Sequence, residues 1–147
     1  MLGKELDEDE CKKLATIMDA RSLKVDDVLV KEGEPESTLF LLTSGKLAVS
    51  STFDGQEMTL YTMQSGECAG TRAFVDGTSR KATLRAVENS VVYSLEPTKF
   101  ETLLESEPKI VYKVMRALFR ITHMNLTRMN MESQEMANYI SKSGGRY

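Results

Sequence analysis

LFLLTSGKLAVSSTFDGQEMTLYTM, Leu39 to Met63, decides the fold. Three runs rich in Leu, Val, Thr and Tyr are cut by Ser44-Gly45 and Asp54-Gly55, each run too short for a stable helix and long enough for a strand. Glycine accepts positive φ, and Ser or Asp bonds its own backbone, so both breaks read as hairpin turns. The pattern extends outward through VLV at 28–30, ATLRAV at 82–87 and SVVYSL at 90–95. Gly33, Gly45, Gly55, Gly66 and Gly77 follow one another at 12, 10, 11 and 11 residues, the rhythm of short antiparallel strands in a sandwich, roll or barrel. Residues 23–95 are therefore expected to form one β unit.

The flanks read as helical. In an N-terminal segment, 1–22, Asp7 stands as N-cap with Glu10 at the N3 position and Leu6 placed to staple against Cys11. Cys11, Leu14, Ala15 and Met18 recur at helical spacing, which predicts a helix over 8–20. Pro97 and Pro108 open two further helices in 96–136, because a first-turn residue needs no N–H. Ile110, Val114, Leu118 and Ile121 lead a broad apolar stripe. Carried to Glu135, that helix spans roughly 42 Å. This exceeds the cover a small β domain needs, so a homodimer through the C-terminal helix is expected, with Asn125 setting register. Residues 137–147 read as a frayed tail.

With 147 residues there is room for one domain, 1–147, and the 41% hydrophobic content suffices for a core. The net charge of −3 does not predict a broad nucleic-acid-binding surface, and no turn and second helix follow the long helix, so direct DNA binding is not expected. Charge is uneven: residues 1–37 carry 6 basic and 11 acidic side chains, whereas 108–147 carry 7 and 2. A basic C-terminal element then lies against acidic surface of its own domain or faces a partner. Cys11 and Cys68 form neither a CxxC nor a Cys/His array, which predicts no disulfide scaffold and no metal site. No apolar run approaches membrane-spanning length and the first residues are acidic, so the expected setting is cytoplasmic and off the membrane.

AGTRAFVDGTSRKAT, Ala69 to Thr83, carries the functional signal. A glycine loop, a turn of helix from Thr71, a second turn at Asp76-Gly77 and Arg80 before a strand form a cassette able to hold an anion. Together with VKEGE at 30–34, LFLL followed by SGKL at 39–47, SGE at 65–67 and RKAT at 80–83, this segment resembles the cyclic nucleotide-binding domain family. That family includes the sensor domains of catabolite-activator-like regulators and cyclic-nucleotide-dependent kinases.

The resemblance implies a mainly β fold with flanking helices, a jelly-roll-like β-roll of eight strands with a long C-terminal helix. It implies a phosphate/ligand-binding set of Gly70, Thr71, Arg80, Lys81, Ala82 and Thr83, with Gly70 letting the backbone approach the nucleotide and Arg80 pairing with the phosphate. Thr71 replaces the family's ribose-binding glutamate, and Arg72 stands where an apolar residue is usual. Leu118, Thr122 and Asn125 are candidates for base contact or the dimer seam, with Thr127 another polar candidate. Arg80 either faces an open pocket or is tied to an acid such as Glu67 or Asp76.

His123 stands alone, and the Glu101, Glu105 and Glu107 cluster has no metal-binding counterpart, so no enzyme constellation is present. The expected function is a non-enzymatic sensor that binds a cyclic nucleotide, cAMP or cGMP, or a related phosphorylated ligand, with no catalytic cofactor. Its C-terminal helices transmit occupancy. The alternative is a divergent domain without nucleotide binding that acts as a dimeric module for a protein partner.

Overall fold

The computed structural model describes residues 2–143. Eight strands form two four-stranded antiparallel sheets: β1 (Asp19–Leu23), β8 (Ser90–Leu95), β3 (Leu39–Ser44) and β6 (Cys68–Ala69) in one, and β2 (Val28–Val30), β7 (Thr83–Ala86), β4 (Leu47–Phe53) and β5 (Gln56–Met63) in the other. Leu29, Val30, Phe40, Leu42, Leu47, Met63, Leu84 and Val92 fill the space between the sheets. Apolar burial on both inner faces, about 25 cal/mol per Å² removed from water, holds the roll together.

Asp54-Gly55 is a two-residue hairpin, with Phe53 opposite Gln56 and both turn residues at positive φ (52° and 77°). Ser44-Gly45 is not. Its flanking strands belong to different sheets, so this turn carries the chain across the roll. Gly45, at φ +93°, packs its Cα on the start of β8, where an added Cβ would lie 2.6 Å from the Asn89 carbonyl oxygen.

Helix α1 (Leu2–Glu5) precedes α2 (Glu8–Ala15), whose Asp7 and Glu10 form the expected capping box. The helix expected over 8–20 ends at Ala15, because Asp19–Leu23 pairs along its full length with β8. The β unit therefore begins at Asp19 rather than residue 23. Helix α3 (Thr71–Asp76) lies in the cassette, and α4 (Pro97–Glu101) and α5 (Leu103–Ser106) lead into α6 (Pro108–Ser143). Its 36 residues extend about 54 Å. Helix α6 runs past Glu135 through most of the segment expected to fray, and residues 144–147 lie outside the described residues.

A second apolar cluster joins the helices to the roll: Ile110, Val114, Ala117 and Leu118 of α6 pack with Leu14, Leu39, Phe74, Leu95, Phe100 and Leu103. The basic C-terminal element does lie against the acidic N-terminal one. Glu5 pairs with Arg116 and Arg120, Glu10 with Lys113 at 2.6 Å, and Lys13 with Glu107 at 3.0 Å.

Desolvation pushes the Glu5 carboxyl up, but the Arg116 and Arg120 guanidinium groups outweigh it and hold it below its ordinary value of 4.5. The hydrogen bond from Lys113, with the Asp7 amide, lowers Glu10 likewise. Carboxylates with lowered folded pKa values stabilise above their unfolded pKa, and that contribution fades as pH falls through the folded value. A Glu5→Gln, Glu10→Gln double variant should therefore melt below the parent at pH 7, with the gap closing below about pH 4. A gap independent of pH would show that these pairs do not attach α6.

Candidate functional site

A cavity of about 590 Å³ opens between the cassette, the strands β4, β5 and β7, and one face of α6. From α6 it is lined by Ile121, Met124, Asn125 and Arg128, the i, i+3, i+4, i+7 face of a helix. The helix that completes the apolar core with its first half thus walls the cavity with its next two turns.

Arg80 sits at the cassette end with only 5% of its surface exposed. Its Nη2 donates to the Thr38 carbonyl, and its guanidinium lies 5.1 Å from the centre of the Phe40 ring. Neither suspected acid holds it. Glu67 accepts the Tyr61 hydroxyl at 2.5 Å, and Asp76 pairs with Arg72 at 3.7 Å. Glu36 acts at one remove: it accepts from the Thr38 amide (3.1 Å) and hydroxyl (2.5 Å), fixing the residue whose carbonyl holds the arginine. Those bonds, chiefly the hydroxyl's, keep the Glu36 carboxyl below its ordinary pKa.

Arg80 Nε and Nη1, and the nearby Thr78 Oγ1, are buried without a hydrogen-bond partner. Each such group carries an uncompensated desolvation cost of about 1–3 kcal/mol. Burial also pulls the Arg80 pKa down, opposed by the charges of Glu36 and Glu34. Arginine nevertheless stays cationic at any physiological pH. A buried guanidinium with donors unmade on Nε and Nη1, beside a cavity, is a site for an anion. Gly70, at φ +86°, is its seat: a Cβ there would come within 2.6 Å of Arg80 Cζ.

The cavity brings together Gly70, Thr71, Arg80, Lys81, Ala82 and Asn125. It does not include Thr83, whose Oγ1 accepts from the Glu32 amide at 3.0 Å, within a separate cleft that it lines with Glu57 and Arg85. Strand alternation turns Thr83 away from its neighbours Ala82 and Leu84. Leu118 is 1% exposed in the apolar core, and Thr122 is exposed outside the cavity, so neither is placed to touch a base there. Sequence reasoning missed Tyr61, Thr78, Met124 and Arg128. The helical spacing from Ile121 to Arg128 was available as a signal for the last two. Arg128 lies 5.2 Å from the Tyr61 ring centre, closing the cavity mouth between α6 and β5.

Nothing in this arrangement activates a nucleophile. Burial pushes the Cys68 thiol up to about 11, so it stays protonated, and His123 stacks on the exposed Phe119 ring at 6.2 Å. Among the described residues no group of three or more His, Cys, Asp or Glu side chains is placed to hold a metal ion. Nor is any described helix long and apolar enough to cross a membrane.

A family model, "Cyclic nucleotide-binding domain", matches residues 20–107. The chain is 34% identical over 92 residues to cGMP-dependent protein kinase 2 from Homo sapiens, covering 61% of this chain and 12% of the kinase. It is 26% identical over 117 residues to an uncharacterized NTE family protein from Mycobacterium tuberculosis, covering 80% of this chain. The chain spans about 20% of the length of that relative. Among solved structures, the N-terminal domain of a transcriptional regulator from Streptomyces coelicolor A3(2) superposes with a TM-score of 0.75 at 26% identity, covering 87% of this chain and 90% of that one.

Proposed function

This chain belongs to the cyclic nucleotide-binding domain family, and from that premise we propose that it is a cytoplasmic ligand sensor whose pocket holds the phosphate of a cyclic nucleotide, cAMP or cGMP, on Arg80. Domains of this kind are regulatory, not catalytic. The observation that carries the reading is the buried Arg80 guanidinium, with Nε and Nη1 unpartnered, at the end of a cavity walled by α6. A phosphate supplies the missing acceptors. Because Ile121, Asn125 and Arg128 touch the same space, a ligand that fits one pose of α6 better than another shifts the helix between poses. Titration calorimetry with cAMP and cGMP, backed by thermal shift, should show saturable one-to-one binding. Silence in both methods up to millimolar ligand overturns the reading.

The helix also supports a dimer. Tyr112, Met115, Phe119, Leu126, Met136 and Ile140 are exposed along α6 and fall on a run of alternating steps of three and four that passes through Thr122. That is the spacing of a coiled-coil seam, and it lies apart from the cavity-lining residues. Thr122 thus belongs with the seam and Asn125 with the pocket. A Phe119→Glu, Leu126→Glu variant should sediment as a monomer where the parent sediments as a dimer. A monomeric parent ends this part of the proposal. The same exposed seam favours a second reading, a dimeric interaction module without nucleotide binding, which predicts an unchanged dimer and no ligand response.

A further inference from the structure

The protein carries a net charge of −3, yet the charged side chains lining its main cavity are Arg72, Arg80, Lys81 and Arg128 against one carboxylate, Glu67. Glu67 is already engaged by the Tyr61 hydroxyl. The partners of the mouth cations are loose and solvated: Arg72 meets Asp76 at 3.7 Å and Arg128 meets Glu132 at 4.0 Å, with all four side chains more than half exposed. Exposed pairs of that kind are worth little, so both guanidinium groups remain available to a ligand. The positive lining is a local feature set against an acidic background, and a concave wall of one sign concentrates its field on whatever enters.

A cyclic mononucleotide brings one negative charge, which Arg80 alone can meet through its two unmade bonds. Arg72, Lys81 and Arg128 then line the pocket with no ligand charge left to meet them. We propose that the pocket takes a nucleotide carrying two phosphoryl groups in preference to a cyclic mononucleotide, the first on Arg80 and the second at the mouth on Arg72 or Arg128. This rests on the reading of Arg80 as the phosphate anchor and adds the class of ligand. Thr71, which lines the cavity beside Arg72, carries no charge to repel the second group. Arginine suits the task because its planar fork meets two phosphoryl oxygens at once.

The test is a calorimetric comparison of cAMP, cGMP, adenosine 3′,5′-bisphosphate and a cyclic dinucleotide on the whole chain, with pyrophosphate as the charge-only probe. At least one doubly phosphorylated nucleotide should bind about tenfold or more tighter than either cyclic mononucleotide at low salt, with a steeper loss as salt rises. Whichever doubly phosphorylated nucleotide binds tighter, its advantage should be lost in the Arg72→Gln, Arg128→Gln double variant and at least partly in one of the two single variants. Both side chains are exposed, and thermal melts will show that the variants stay folded. Cyclic mononucleotides binding as tightly as both overturn the proposal and leave the Arg80 reading standing. Pyrophosphate binding as tightly as the best nucleotide also overturns it, and silence from every ligand removes both.

Discussion

Arg80→Leu will bind ligand about a hundredfold or more weakly than the parent while folding at least as stably. The two effects have opposite signs because the arginine is costly when the pocket is empty. It forms one bond to the Thr38 carbonyl and packs on Phe40, contributions of about 2–5 kcal/mol together. Against these stand two unpartnered donors at about 1–3 kcal/mol each and the desolvation of the charge. Leucine keeps apolar contact with Phe40 and removes all three costs, although it leaves the Thr38 carbonyl unpaired. Stability in urea should therefore be unchanged or raised by up to about 2 kcal/mol. Loss of a buried charged partner from a phosphate costs about 2–5 kcal/mol, which sets the fall in affinity. A variant that binds normally would remove Arg80 from the site, and one that unfolds would make it structural.

Gly45→Ala should cost about 2–5 kcal/mol, a large share of a small domain's stability. Two terms combine. Gly45 has φ +93°, where a side chain costs about 1–2 kcal/mol. Its added Cβ also meets backbone: the Asn89 carbonyl oxygen at 2.6 Å and Ser90 Cα at 2.7 Å. These atoms cannot rotate away, because Ser90 is 2% exposed and its hydroxyl accepts the Lys46 amide at 3.1 Å. Overpacking of that kind adds about 1–3 kcal/mol. Gly33→Ala is the internal control, with φ +88° but nothing within 4 Å of the added Cβ, so it should show the conformational term alone. Equal losses in urea denaturation would show that the crossing of the chain between sheets does not depend on close approach at Gly45.

What could be read from the amino-acid order divides by range. The Asp54-Gly55 hairpin, the capping box at Asp7 and the proline helix starts are local, and the structure forms them where the residues place them. Ser44-Gly45 has the same local chemistry as a hairpin, but its role depends on β3 pairing with β6 and β8 while β4 pairs with β7, all of them segments more than 20 residues away. Helix α2 stops early for the same reason: β1 is selected by β8, with Asp19 opposite Ser94. At the site, the motif brought Gly70 and Arg80 together because a short cassette carries both. Which way Thr83 turns, and that Thr38 rather than an acid holds Arg80, follow from strand facing and from a chain crossing 42 residues away.

Among the described side chains, helix α6 has its last buried one at Ile121, and the helix runs on to Ser143, about 33 Å farther. Mechanically this is a beam clamped at one end and pushed close to its clamp, since Asn125 and Arg128 meet the cavity one and two turns beyond Ile121. A tilt of about 5° at the clamp, a shift of well under 1 Å at Asn125, carries the far end through about 3 Å. On that geometry a displacement at the pocket smaller than a bond length corresponds to one comparable with the width of a side chain at the far end of α6.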